Sequence, residues 1–442
     1  MSVNQTYGLC EIKKMVIISH NDFELDVFGT YKSLNIYEDL FSPSITAQLT
    51  LEDASGVLNF LPIIGQEKVL ISYVTQGLTE FTELEMIVNK ITDLESSVGT
   101  QTYNLELVSA DMITNFEERI SEYFEGSATE IAEKCFERLE SKKTFEFEPS
   151  EDKYDQEIGV VIPNMTPMKA ISFLCGKAFH EEYKSSSYMF YETSKKYVMK
   201  PMEMLTQEEP KNEFSLGSYK NAGTDGTELV DANVENKKAI TYKFLSNFSV
   251  LDNITNGVFA SKVSVVDMIT RTKTDLEHSM WKDHEEYKYL NYDKDNKNTS
   301  GPMFDVSGKG KQYMKVDDDT SVRFIVPEVE IKEGRPMYNQ EKIFRQRLFY
   351  TNLMNNIRCE MSVYGDSDLV VGDTVNLTLP LFTRLDMGEE WKDKYYSGKY
   401  LITGIRHKLS GDQYTTDLEL VKDSFNDVLP SKVPTLTGGG GK

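Results

Sequence analysis

The groups from which most catalytic and redox sites are built are scarce in this chain: it has five histidines, four cysteines and two tryptophans among 442 residues. Cys10, Cys135, Cys175 and Cys359 stand far apart, and none forms the paired CxxC spacing of a zinc or dithiol site, so all four read as reduced thiols. Cys135 and Cys175 lie inside apolar patterns of helical spacing, where a free Cys packs as a small core residue. No window approaches the ~20 apolar residues of a membrane span, and Met1 to Lys14 lacks the basic-then-apolar order of a secretion signal. The expectation is a chain folded in a cytoplasm, with no membrane insertion of its own. Positive charge is also in deficit, since 48 Lys and Arg against 71 Asp and Glu leave a net charge of −23. Such a chain repels phosphate, which argues against sequence-specific nucleic-acid binding.

Catalytic motifs are missing in the same way. Neither Gly217-Ser218 nor Gly365-Asp366-Ser367 completes a GxSxG turn. Gly308-Lys309-Gly310-Lys311 is no GxxxxGK[ST] phosphate cradle and reads as a solvated loop. His278 and His284, near Trp281 and Asp283, are six residues apart, a spacing that fits no helix face, and no HExxH occurs. Asp317-Asp318-Asp319 lacks the DxDxDG spacing and downstream Glu of a calcium loop. With 71 acidic residues a pair suited to glycoside hydrolysis can be found anywhere, so abundance selects none. The residues nominate no catalytic, cofactor-binding or metal-ligating position, and the chain reads as a non-enzyme without a cofactor.

What is present is foldable material, 39% hydrophobic and 11% aromatic, long enough for two to four domains. From Lys13 to about Met112 apolar residues alternate, as in Ile45-Ala47-Leu49-Leu51, Val69-Ile71-Tyr73 and Tyr103-Leu105-Leu107, which predicts six or seven strands of a small antiparallel barrel over 1–112. At Asn115 the period changes. Phe116, Ile120, Tyr123 and Phe124, then Ile131, Ala132, Cys135, Phe136 and Leu139, recur at three and four residues and predict helices. Ser127 and Glu130 form a candidate capping box, Thr166-Pro167 opens a further helix, and Thr193-Ser194 joins two strands as a hairpin. An α+β unit is therefore expected over 113–210. Polar residues from Glu208 to Glu235 predict a connection, and strands resume at Ala239 to Tyr242 and from Val258 to Ile269. A helix is expected over about 339–354, followed by strands at 357–363, 374–379, 400–405 and 414–421. This assigns 211–272 and 336–425 to a second barrel, 273–335 to an insertion and 426–442 to a C-terminal arm.

An internal repeat carries the most information. Val88-Asn89-Lys90-Ile91 leads through a turn to Tyr103-Asn104-Leu105-Glu106-Leu107-Val108-Ser109, as Ile402-Thr403-Gly404-Ile405 leads to Thr416-Asp417-Leu418-Glu419-Leu420-Val421-Lys422. Val69-Leu70-Ile71 precedes the first set as Val375-Asn376-Leu377 precedes the second, and Ile45 to Leu49 stands ahead as Ile357 to Met361 does. Three blocks in one order predict two copies of one barrel, with Leu105 and Leu107 equivalent to Leu418 and Leu420. The fold class is α+β and mainly β: two similar antiparallel tube-type β-barrels separated by an α+β unit, with an insertion in the second barrel.

The chain resembles the baseplate hub proteins of contractile-tailed bacteriophages, which join tail tube to central spike. Asp26-Val27-Phe28-Gly29 to Leu51-Glu52-Asp53-Ala54 looks like that family's opening barrel, and Val250-Leu251-Asp252-Asn253-Ile254 through Gly257 to Asp267 looks like the restart of its second barrel; the strands from Gly372 to Val421 complete the resemblance. It implies a homotrimer that adapts a sixfold tube to a threefold spike and forms part of the DNA conduit, with genomic DNA passing without specific binding. Implied partners are a central spike protein, a tail tube protein or tube-capping ring, and surrounding baseplate proteins. The implied location is the virion's tail baseplate, assembled in the host cytoplasm. The alternatives are a cell-wall glycan hydrolase carried on the tail, or a carbohydrate-binding tail-tip module using Tyr287, Tyr289 and Tyr292.

Overall fold

A computed structural model describes residues 8–60, 63–65, 67–148, 157–180, 186–216, 237–267, 271–279, 290, 322–325, 331–332, 335–336, 347, 350–380 and 393–425. Alternation builds the first barrel from β1 (Cys10–Ile18), β2 (Glu24–Asp26), β3 (Tyr31–Asp39), β4 (Thr46–Asp53), β5 (Lys68–Thr75), β6 (Thr82–Ser97) and β7 (Thr100–Ser109), with a short helix α1 (Val57–Phe60) between β4 and β5. Inward-facing Leu34, Ile36, Leu49, Ile71, Leu105 and Leu107 fill its core. Neighbouring strands run antiparallel in the order β1-β5-β6-β7-β4-β3, with β2 outside β1.

The middle unit contains α2 (Asp111–Glu117), β8 (Ile120–Ser127), α3 (Ala128–Glu137), β9 (Thr144–Phe147), β10 (Glu157–Met165), α4 (Pro167–Cys175), β11 (Tyr188–Glu192), β12 (Lys196–Pro201) and α5 (Met202–Gln207). The capping box is formed: Ser127 Oγ accepts from the Glu130 N–H, and the Glu130 carboxylate accepts from the Ser127 N–H. Cys135 and Cys175 are buried free thiols, pushed up to about 12 by burial. One expectation fails here. Ile120, Tyr123 and Phe124 lie in strand β8, paired with β10, because the spacing of three and four joined buried Ile120 to outward Phe116 and Tyr123, which stand 64% and 56% exposed. The hairpin at Thr193-Ser194 is present, closed by the Thr193 N–H donating to the Lys196 carbonyl.

The second barrel uses β13 (Asn212–Leu216) and β14 (Lys238–Asn247). Helix α6 (Val250–Thr255) and strands β15 (Ala260–Asp267), β16 (Thr272–Ser279), β17 (Val322–Ile325), β18 (Ile331–Lys332) and β19 (Arg335–Pro336) follow. It then resumes with β20 (Ile357–Tyr364), β21 (Thr374–Thr378), β22 (Gly398–Ser410) and β23 (Gln413–Lys422). Strand β13 corrects the expected polar connection: Phe214 is buried among polar neighbours and gives the segment a core-facing side. Strand β15 also departs from expectation, since it pairs with β16 and β17 and leaves the barrel sheet. Of the helix expected over 339–354, residues 347 and 350–354 are helical and the rest lies outside the described residues.

The barrel closes as six strands in the order β13-β21-β22-β23-β20-β14, with β14 returning to β13. That is the order β1-β5-β6-β7-β4-β3 of the first barrel. The registers agree as well. Leu105 lies opposite Leu49 and Ile91, and Leu418 lies opposite Met361 and Ile405. A bulge falls between Val88 and Lys90 in β6 and between Ile402 and Gly404 in β22. Two pairings differ: β13 runs parallel to β21 whereas β1 runs antiparallel to β5, and β13 pairs with β14 whereas β1 and β3 are not paired.

Candidate functional site

The sequence nominated no site, and the structure brings buried polar groups together where the two barrels and the middle unit meet. The first join is backbone. Leu34 to Asp39 of β3 pair antiparallel with Leu409 to Gly404 of β22, which makes the two barrels one sheet. Leu40, just past β3, is buried in the second barrel's core, and its N–H donates to the Thr403 carbonyl at 2.9 Å. Leu409 and Tyr414 are buried in the first barrel's core.

The second join is the tip of the β22–β23 hairpin. Leu9 bridges Gln413, the Tyr414 N–H donates to the Gly8 carbonyl at 2.6 Å, and the Tyr31 hydroxyl donates to the Gly411 carbonyl. The tip therefore stands in the gap between β1 and β3 and completes the first barrel. Tyr414 packs flat on the backbone of Gly365, where any Cβ would meet its ring. Nearby, the Thr75 N–H donates to Ser367 Oγ at 3.1 Å and the Ser367 N–H returns to Thr75 Oγ1 at 2.8 Å. Gly365-Asp366-Ser367, weighed as a nucleophile turn, is in this way a clamp between barrels.

The third join is ionic and buried. Glu38 on β3 accepts from the Ser194 N–H of the middle unit's hairpin at 2.9 Å and from the Val371 N–H of the second barrel at 3.3 Å. Burial pushes its carboxyl up to about 7, against the opposing pull of those two N–H groups and of Lys143. Glu192 accepts from the Ile45 N–H at 2.9 Å, the Ser109 hydroxyl at 2.8 Å and Lys143 Nζ at 2.8 Å. Lys143 also donates to the Thr193 carbonyl at 2.9 Å. His407 Nδ1 lies 2.8 Å from the Tyr414 hydroxyl, and burial lowers its pKa to about 4.

Sequence reasoning missed Glu38, Glu192 and His407. A signal was available: each occupies the inward phase of an apolar alternation, in Leu34-Ile36-Glu38, Tyr188-Phe190-Glu192 and Ile405-His407-Leu409. A charge at such a position needs partners, and the unit boundaries supply them. The outer face over β3, β22, β23, β20 and β14 is an open trough of about 730 Å³ lined by Asp39, Lys243, Glu360, Arg406, Asp417 and Glu419 among others. Ser362 donates to Asp417 there at 2.6 Å, as Thr50 donates to Asn104 at the equivalent place in the first barrel at 2.8 Å. The trough is open, and Tyr37, Tyr242 and Met361 line it beside the charged side chains.

Among the described residues no three His, Cys, Asp or Glu stand where they could hold a metal ion, and no helix is long and apolar enough to cross a membrane. His278 lies on β16, opposite Ser261. Gly217-Ser218, Trp281, Asp283, His284, Tyr287, Tyr289, Tyr292, Gly308 to Lys311, Asp317 to Asp319 and the arm 426–442 lie outside the described residues.

No family model matches the sequence, and no curated protein does. In three dimensions the chain is similar to the 43 kDa tail protein of prophage MuSo2 from Shewanella oneidensis, with a TM-score of 0.53 and 11% identity over 93% of this chain and 98% of that one. It is likewise similar to a tail protein from Neisseria meningitidis MC58, with a TM-score of 0.50 and 11% identity over 93% and 96% of the two chains. At that identity the likeness is one of fold, and it runs through both barrels and the unit between them.

Proposed function

We propose that this chain, which has the fold of phage tail proteins, is a structural protein of a tail baseplate. In this reading it is a hub whose three copies adapt a sixfold tail tube to a threefold spike and surround the path of the DNA. The observation that carries the reading is the pair of barrels with one strand order, welded through β3 and β22 into a single sheet. Two equivalent barrels per chain, taken three times, give six similar elements on a threefold axis, so one ring can face both symmetries. The interior of the site supports the same role: its buried Glu38 and Glu192 accept hydrogen bonds from all three units and hold them together.

The proposed partners are a spike protein, a tube or tube-capping protein and the neighbouring baseplate proteins, with residues 426–442 as an arm at one face. The proposed location is the virion. Sedimentation of the purified chain tests the assembly: a homotrimer burying more than about 2,000 Å² per pair of chains is expected, and a stable monomer at micromolar concentration would count against it. Truncation after Phe425 should leave the trimer and its melting temperature nearly unchanged while weakening capture of the spike protein. Incubation with peptidoglycan should release no sugar fragments, whereas a glycan hydrolase would release them.

A further inference from the structure

One lysine serves two buried carboxylates where the three units meet. Glu38 of the first barrel is 2% exposed and Glu192 of the middle unit 1%. Lys143 Nζ bonds Glu192 at 2.8 Å, and its charge also acts on Glu38. Ionised together, the three groups carry one uncompensated negative charge in the interior; with a proton on one carboxyl they are neutral. A buried charge without a partner is costly, so the closed junction favours the proton. Glu192 has the lysine in contact, which leaves Glu38 as the group that holds it. The other charged groups around Glu38 have partners of their own. Asp39, next on β3, accepts from the Phe41 N–H. Arg406 of β22 donates to Asn35 and lies over the ring of Tyr37, and on the same strand His407 is a neutral ring against Tyr414. In the turn ahead of β21, Asp368 pairs with Lys195 and Lys211, and Asp373 takes Lys211 and the Val370 N–H. Burial pushes the Tyr73 and Tyr191 hydroxyls up, so both stay protonated.

Two N–H groups reach Glu38, and they are held differently. The Val371 N–H belongs to a turn fixed on both sides: Ser367 exchanges hydrogen bonds with Thr75, and the Gly372 N–H donates to the Ile402 carbonyl at 3.0 Å. The Ser194 N–H stands at the tip of the β11–β12 hairpin, whose own bonds run between Thr193 and Lys196. Besides Glu38, the tip is tied down by Lys143 donating to the Thr193 carbonyl and by the pair Lys195–Asp368, whose side chains are 42% and 46% exposed. An ion pair that open to solvent adds little. A groove of about 840 Å³ between the first barrel and the middle unit runs up to this tip, with Lys143, Ser194 and Lys195 in its wall. Solvent therefore has a route to the one contact of Glu38 that is weakly held from elsewhere.

We propose that Glu38 is a proton-operated latch on the middle unit: with its proton in place the tip 193–195 stays seated on both barrels, and loss of that proton to solvent lets the tip lift so that water from the groove hydrates the carboxylate. The seating of the middle unit thereby depends on pH between mildly acid and neutral solution. The folded carboxyl titrates near 7 and the hydrated one near 4.5, so opening of the tip rises from pH 4.5, levels off above 7 and gains about 300-fold in all. Opening is local, because the turn that carries Val371 keeps its bonds to Thr75 and Ile402.

The test is amide hydrogen exchange of the full chain at pH 5 and pH 8, corrected for the intrinsic rates and read on overlapping peptides that resolve Ser194. Protection of that amide should fall about 70-fold between the two. At pH 8 it should also exchange faster than the amides of β23, whose core strand opens only with the whole chain. In Glu38→Gln the side-chain oxygen can still accept from Ser194 but there is no proton to lose, so one protection is expected at both pH values. A wild-type change below about threefold would overturn the latch, and it would do so even if the Gln variant failed to fold. Exchange of Ser194 and β23 at one common rate would overturn it as well, since the tip would then open only on global unfolding. The same fall in the Gln variant would place the titrating group elsewhere and overturn the role of Glu38.

Discussion

His407 and Tyr414 face each other at 2.8 Å across one hairpin that belongs to the second barrel by chain order, yet Tyr414 is buried in the core of the first. The ring of Tyr73, from β5 of the first barrel, stands edge-on to Tyr414 with centroids 5.9 Å apart. A hairpin rooted in one barrel and cored in the other ties their stabilities together. The two barrels are therefore expected to unfold in one transition, with coincident fluorescence and circular dichroism curves.

Tyr414→Ala should cost about 3–5 kcal/mol, the range for removing a large buried ring, because it opens a cavity and strips His407 of its partner. Denaturant titration reads the loss. A change below about 1 kcal/mol would mean that the hairpin tip is peripheral to the first barrel.

Glu38 should make stability fall as the solution turns from acid to neutral. Its carboxyl titrates near 7 in the folded chain against an ordinary value of 4.5. Between those values the folded state keeps a proton that the unfolded chain has released, so the contribution is fully present below pH 4.5 and is lost as pH rises through 7. The span corresponds to about 3 kcal/mol as an upper bound. Glu38→Gln should flatten that part of the profile; parallel urea curves for the two proteins at pH 5 and pH 7.5 would refute the assignment.

His407 acts in the opposite sense. Its folded value near 4 lies below the ordinary 6.5. Below pH 6.5 the unfolded chain takes up a proton that the buried ring refuses, so stability is full above 6.5 and drops toward pH 4, again by about 3 kcal/mol at most. In the window shared with Glu38 the two effects offset. His407→Gln should therefore lose less stability on acidification than the wild type does, and an unchanged acid limb would show that some other group sets it.

Much of this architecture is legible in the chain because alternation of inward and outward residues is local. Ile45-Ala47-Leu49-Leu51 and Ser127 with Glu130 declare a strand and a helix start without reference to anything distant. The repeat was legible for the same reason, since Leu105-Glu106-Leu107 and Leu418-Glu419-Leu420 serve the same faces of equivalent strands. Pairing partners were not. Nothing in Ala260 to Asp267 distinguishes a barrel strand from one that pairs with Thr272–Ser279, and nothing in Asn212 to Leu216 beyond Phe214 marks a parallel barrel strand. The junction was hidden because Glu38, Ser194 and Val371 come together only after all three units have folded.

The ionic join predicts an asymmetry between its partners. Glu192 is fully buried, whereas the side chain of Lys143 is 21% exposed. Lys143→Met removes the only cation at hydrogen-bond distance among the described partners of Glu192, leaving a buried carboxylate with the Ile45 N–H and the Ser109 hydroxyl alone. Breaking a buried pair from that side costs about 3–5 kcal/mol. Glu192→Gln should cost less, because the amide oxygen can keep the Ile45 N–H, the amide nitrogen can face Ser109, and Lys143 can swing toward water while holding the Thr193 carbonyl. The double variant should then be more stable than Lys143→Met alone, since the second change removes the charge that the first had stranded. Denaturant titration of the four proteins completes the cycle, with a coupling of about 1–3 kcal/mol expected for residues in contact. Additive losses would mean that Lys143 serves the Thr193 turn by itself and that Glu192 is held by its two neutral donors.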